Sequence, residues 1–322
     1  NRNAKSYDNP DKPSIGTRKA SRPCPCDRRI SCRTGGFTPR IDKNPWSFFG
    51  FVWVPARRIE SSASKELVMT DSPDTGQNTV VDIRVGPGHP ALTGHTGRGV
   101  IVAVIDSGVH ADHPHVGGVA GGIAFEQDGE SHDDYTDRLG HGTAVTAAIR
   151  EKAPDAEIYT IKVFGRKLST STGVLVRAID WATGMGARLI NLSLGTSRPE
   201  HELTFWVCVK RAIERGSLIV SPREYDDRSW LPGKVEGVAG TMLDWACPRE
   251  EILVSRRPDG SIILLASGYP RPIPGYSPER NLKGVSFAAA NVTGILADLM
   301  QDRPEVRSVP DLWELLQSHS GF

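Results

Sequence analysis

Hydrophobic and polar positions divide this chain into two unlike parts. From Gly99 onward, short apolar runs alternate with stretches of helical period, and Val100 to Ile105 is the clearest run, six consecutive apolar residues, mostly β-branched. That pattern predicts a strand buried on both faces of a parallel sheet. Asp106 follows directly, and because charge is costly inside such a strand it is expected at the carboxyl end, where open α/β sheets place functional groups. Ser107 and Gly108 suit a sharp turn there. Small residues after His141, through Arg150, predict a helix packed closely in a core. Then come a strand over Glu157 to Phe164, a polar loop from Lys167 to Thr172, and an amphipathic helix over Gly173 to Met185. A buried strand from Ala187 to Leu192 ends in Ser193-Leu194-Gly195, followed by a helix over about His201 to Arg215 and a strand over Ser217 to Ser221. A last apolar run, reaching Met300 before Pro304, predicts a buried helix beginning at or just before Ser286. This alternation is that of a doubly wound α/β domain, with a mainly parallel sheet and helices on both faces.

One stretch breaks the alternation. Gly117 to Arg138 is rich in glycine and acid, with Asp128, Glu130, Asp133, Asp134 and Asp137, and reads as a solvated loop. A second reading is that it attracts basic substrate residues.

Residues 1–68 lack this pattern and read as a poorly structured basic segment with 14 Lys and Arg against 6 Asp and Glu, while 69–322 carry 25 against 32. Residues 69–96 read as a connector, and 97–322 as the globular domain. The chain opens on Asn, with Met69 an alternative start. Trp46 to Val54, WSFFGFVWV, is one apolar island, either a docking strand or an unstructured patch. No run approaches the roughly 18 apolar residues of a membrane span, so a membrane is not an expected partner; the basic segment carries no nucleic-acid-binding motif, so nucleic acid is not expected either. Cys24, Cys26 and Cys32 crowd the start without zinc-ligand spacing, and Cys208 and Cys247 stand far apart, with a bond between those two left open. Such usage fits a reducing compartment.

Three residues carry candidate chemistry. Asp106 alone reads equally well as a turn cap, His141 as a structural histidine at a helix start, and Ser286 as an N-cap. Together they read differently: an acid at a strand end, a histidine between two glycines 35 residues later, and a serine among small residues another 145 residues on. A serine at a helix start also has amides, its own included, aimed at any oxyanion formed beside it. Ser193-Leu194-Gly195 could expose backbone groups to an extended peptide.

Val104-Ile105-Asp106-Ser107-Gly108, His141-Gly142-Thr143 and Gly284-Val285-Ser286-Phe287-Ala288 stand in the order Asp, His, Ser, and in this the chain resembles the subtilisin-like serine protease family. The third stretch resembles G-T-S-x-A with Val for Thr, and Ala290 stands where that family usually has Pro. Leu189 to Gly195 looks like its substrate-binding strand, with Ile179-Asp180-Trp181-Ala182 like the helix before it. The resemblance implies a triad of Asp106, His141 and Ser286, peptide or protein substrates paired to Ser193, Leu194 and Gly195, and no cofactor. Two departures stand out. Aligning Leu231-Pro232-Gly233 with a Y-P-G-like segment puts Arg223 where the family has its oxyanion Asn, so Arg223 and Ser286 are the oxyanion candidates. The short link from Ile149 to Tyr159 lacks the loop that binds calcium in many relatives, so no metal is expected there.

These features lead to a serine endopeptidase of a processing type, intracellular and cytoplasmic. The alternative is a catalytically impaired homologue that binds a peptide or protein in the same cleft. A nucleotide-binding domain is the weakest reading, since no G-x-G-x-x-G follows Ile105.

Overall fold

A computed structural model describes residues 80–320; Trp46 to Val54, the basic segment and its three cysteines lie outside the described residues. In chain order the strands are β1 (Val81–Val85), β2 (Ile101–Asp106), β3 (Gly121–Phe125), β4 (Ser131–His132), β5 (Glu157–Lys162) and β6 (Leu189–Leu192). They continue with β7 (Leu218–Pro222), the short pair β8 (Glu224–Tyr225) and β9 (Arg228–Ser229), then β10 (Ala239–Leu243), β11 (Ile252–Arg256) and β12 (Ile262–Ala266). The α-helices are α1 (His141–Lys152), α2 (Thr172–Gly184), α3 (Glu202–Glu214), α4 (Val285–Leu299) and α5 (Val309–His319).

Ten strands form one sheet in the order β1-β11-β12-β10-β7-β6-β2-β5-β3-β4. The seven from β12 to β3 run parallel, and antiparallel strands close both edges. β2 lies inside the parallel block, and its side chains alternate between two cores. Val102 and Val104 join a core filled from α1, α4 and α5. Ala103 and Ile105 join one filled from α2 and α3. Each Val or Ile so enclosed contributes roughly 1.5–3 kcal/mol, which is why the strand is apolar without interruption until its end.

Register then sets the site. Ile105 pairs with Leu192 and Asp106 with Lys162, so Asp106 and Ser193 emerge side by side at the carboxyl edge. α1 and α4 pack against each other on one face, and both begin at that edge. α2 starts where the Ser171 hydroxyl accepts the Val174 amide, while α1 stops before Pro154, whose preceding residue is disfavoured in helix.

The parallel core matches the periodicity closely, but several elements escape it. β3 and β4 lie within the stretch read as a solvated loop, and Val81–Val85, in the segment read as a connector, forms the outer strand beside β11. Asp128, Glu130, Asp133 and Asp134 are exposed as expected; Asp137 is not, being 1% exposed, because hydrogen-bond donors surround it. Cys208 and Cys247 are separate free thiols, both buried, so the bond left open between them is not formed.

Candidate active site

Asp106 is fully buried at the end of β2, and its Oδ1 accepts the Ser107 amide at 2.7 Å. The same oxygen lies 2.7 Å from His141 Nδ1. An ionised carboxylate can only accept, so Nδ1 carries the proton and Nε2 keeps its lone pair. Burial disfavours the charged imidazolium, yet the charge and hydrogen bond of Asp106, aided by Asp137, outweigh it and raise the His141 pKa above its ordinary 6.5. Gly142 makes this approach possible. A Cβ there would fall 2.2 Å from the Gly108 carbonyl and 3.2 Å from Asp106 Oδ1, so a side chain would force α1 away from β2.

Ser286 is the second residue of α4 and fully buried. Its amide belongs to the first helical turn, whose N–H groups have no carbonyl four residues earlier. Its Oγ donates to the Ser193 carbonyl at 2.9 Å. The next residue, Phe287, sets its ring 5.6 Å from the imidazole of His141. One end of α4 thus touches both the histidine and the strand end.

Ser193, Leu194 and Gly195 continue from β6. Asn191 Nδ2 donates to Ser193 Oγ at 2.7 Å, and the Thr293 hydroxyl lies 2.9 Å from Asn191 Oδ1, joining this segment to α4. Beyond it, Thr196 and Leu231 exchange backbone hydrogen bonds of 2.9 and 2.8 Å. Gly195 lies so close to that neighbour that a Cβ would meet the Leu231 carbonyl at 2.6 Å.

Arg223 is placed differently. Its amide donates to the Thr241 carbonyl and its carbonyl accepts the Trp230 amide, both at 2.8 Å, closing the β8–β9 hairpin. The side chain packs over Gly240. Its charge helps hold the Asp259 carboxyl, whose chief partner is Ser261, below its ordinary range. Asp106, His141, Ser286 and Ser193 are therefore brought together, whereas the aliphatic stem of Arg223 lies against Gly240 of β10. Asp137 and Ser107 are the polar residues that sequence reasoning missed; the available signal was an acid shortly before a helix start, where carboxylates satisfy free amides. Among the described residues no cluster of three or more His, Cys, Asp and Glu could hold a metal, and no helix is long and apolar enough to cross a membrane.

A family model described as the subtilase family matches residues 97–222. M-protease of Shouchella clausii (strain KSM-K16) is 30% identical over 228 residues, 67% of this chain and 58% of that protein. The chain belongs to the subtilase family. Subtilisin BL of Lederbergia lenta is 29% identical over 228 residues, 67% of this chain and 81% of the relative. A protease from Pseudoalteromonas arctica PAMC 21717 shares the fold, with a TM-score of 0.52 at 20% identity over 71% of this chain and 84% of its own. The chain spans 34% to 58% of the length of the first curated subtilases it matches. The subtilase match includes Asp106, His141 and Ser193 to Gly195 and ends just before Arg223, with Ser286 beyond it.

Proposed function

We propose that this subtilase is a serine endopeptidase acting through Asp106, His141 and Ser286. The observation that carries the reading is the 2.7 Å bond between a buried carboxylate and the imidazole of His141, at the same edge as a serine in the first turn of a helix. Ser286 Oγ attacks the peptide carbonyl while His141 Nε2 takes its proton, and Asp106 holds the tautomer and stabilises the imidazolium. The α4 amides, including that of Ser286, face the oxyanion. The C–N bond then breaks as His141 returns the proton to the leaving amine. Water attacks the acyl-enzyme by the same proton route, releasing the acid. Extended peptide backbone pairs with Ser193, Leu194 and Gly195, next to the carbonyl that Ser286 already contacts. Free, separate Cys208 and Cys247 support work in a reducing, intracellular compartment.

Arg223 favours a second reading. A missing oxyanion donor typically costs about 100- to 1,000-fold in turnover, and the stem of Arg223, in place of the family's Asn, lies over Gly240. A peptide-binding homologue with little turnover is the corresponding alternative. Hydrolysis of a quenched fluorescent peptide library separates the two. Turnover lost in both Ser286→Ala and His141→Ala supports the protease, while peptide binding without turnover, unchanged in those variants, supports the homologue and sinks the protease.

A further inference from the structure

The acidic loop before α1 supplies one carboxylate that the triad chemistry does not use. Asp137 is 1% exposed, and its two oxygens accept five hydrogen bonds, from the Ser107 hydroxyl, the amides of Leu139, Gly140 and Thr143, and the Thr143 hydroxyl, at 2.6 to 2.9 Å. These donors come from two places. Ser107 directly follows Asp106, whereas Leu139, Gly140 and Thr143 flank His141. The links double up: Ser107 Oγ also accepts the Gly142 amide at 2.9 Å, and Thr143 Oγ1 accepts the His110 amide at 3.0 Å. Backbone bonds between Val109 and the segment Tyr135 to Asp137 run alongside.

We propose that Asp137 is a positioning residue for His141, clamping the first turn of α1 to the turn after β2 so that imidazole and Asp106 move as one unit. The inference rests on the protease reading and deepens it. A carboxylate that served only to cap α1 would need the donors at Leu139, Gly140 and Thr143; the bond to Ser107 goes further and reaches the strand that carries Asp106. Near-attack geometry is sensitive to displacements of about 1 Å, so a clamp on both partners acts directly on rate. Its charge acts as well. The groups bearing on His141 are Asp106 from β2 and Asp137 from the loop, both favouring the protonated ring against burial, while α4 presents the uncharged Phe287. Lys162 of β5 donates to the Thr136 carbonyl at 2.8 Å and its charge acts on Asp134.

Asp137→Asn keeps the shape and removes the charge. We expect fluorophosphonate labelling of Ser286 to slow about tenfold at neutral pH. The acid limb of the labelling rate should move to lower pH by about half a unit, because a neighbouring anion no longer favours the imidazolium. The His141 titration followed by NMR should fall with it. A folded Asp137→Asn protein with the wild-type titration and acid limb overturns the proposal. Should that variant not fold, Ser107→Ala removes the bridge and keeps the charge: slower labelling with an unmoved acid limb supports the clamp, and wild-type labelling contradicts it. A wild-type protein that never labels defeats the protease reading alone, since the NMR titration still decides whether Asp137 acts on His141.

Discussion

Asp137 stands at the entrance to α1 and Asp298 in the last turn of α4, and burial acts on both in the same direction, against the charged form. Asp137 nevertheless titrates below its ordinary range, because hydrogen bonds from Thr143, Leu139 and Ser107 overcome desolvation. Asp298 has no such help. Its Oδ1 is buried without a hydrogen-bond partner among the described residues, and burial pushes its pKa up to about 7. What a carboxyl does inside this protein is therefore decided by the donors aimed at it, not by its depth. The comparison also separates two pH dependences. Asp137, depressed in the fold, stabilises it above the unfolded value near 3.8, and that contribution is lost as pH falls through its folded pKa. Asp298, raised in the fold, leaves its contribution intact below 3.8 and loses it as pH rises toward 7.

Asp106 extends the contrast to a carboxylate at the reacting centre, and Asp106→Asn has the largest expected effect. An amide at that position no longer enforces the Nδ1–H tautomer, so kcat for peptide hydrolysis should drop about 10,000-fold with the circular-dichroism spectrum retained. Asp298→Asn runs the other way. It should stabilise the protein by about 2 to 4 kcal/mol in urea titrations at pH 8 and lose that advantage near pH 4, where the aspartate is protonated in the fold. Equal stabilisation at both pH values would mean the buried carboxyl is not the cause. Thr143→Val deprives Asp137 of its 2.6 Å hydroxyl donor and should cost about 1 to 3 kcal/mol by the same titration. The smallest change is expected of Arg223→Ala. With that side chain over Gly240, labelling of Ser286 should slow by less than about threefold, and a hundredfold loss would return Arg223 to the oxyanion.

These contrasts also mark how far sequence reading reaches. The strand ending at Asp106 and the helix beginning at Ser286 are legible because a parallel strand covered on both faces and a fully buried helix are apolar without relief. The elements around them are not. β3 is Gly-Gly-Ile-Ala-Phe, whose glycines give no alternation to read, and β10 opens on Ala and Gly. Asp137 is one of six acids in its stretch, and its place shortly before a helix start is the one local mark it carries. Its burial arises from Ser107, 30 residues away, and from the start of α1. The direction of Arg223 likewise depends on the neighbouring strand, where Gly240 leaves the space its side chain takes. The pattern within an element reveals its burial, but which polar group meets which donor is set between elements.

The central claim is that Asp106 and His141 activate Ser286. It is tested most directly by treating the folded protein with a fluorophosphonate at pH 8 and mapping the adduct by peptide mass spectrometry. One phosphonyl group on Ser286, absent in His141→Ala, is the expected result. A folded protein with no adduct, or with the adduct on another serine, would contradict it.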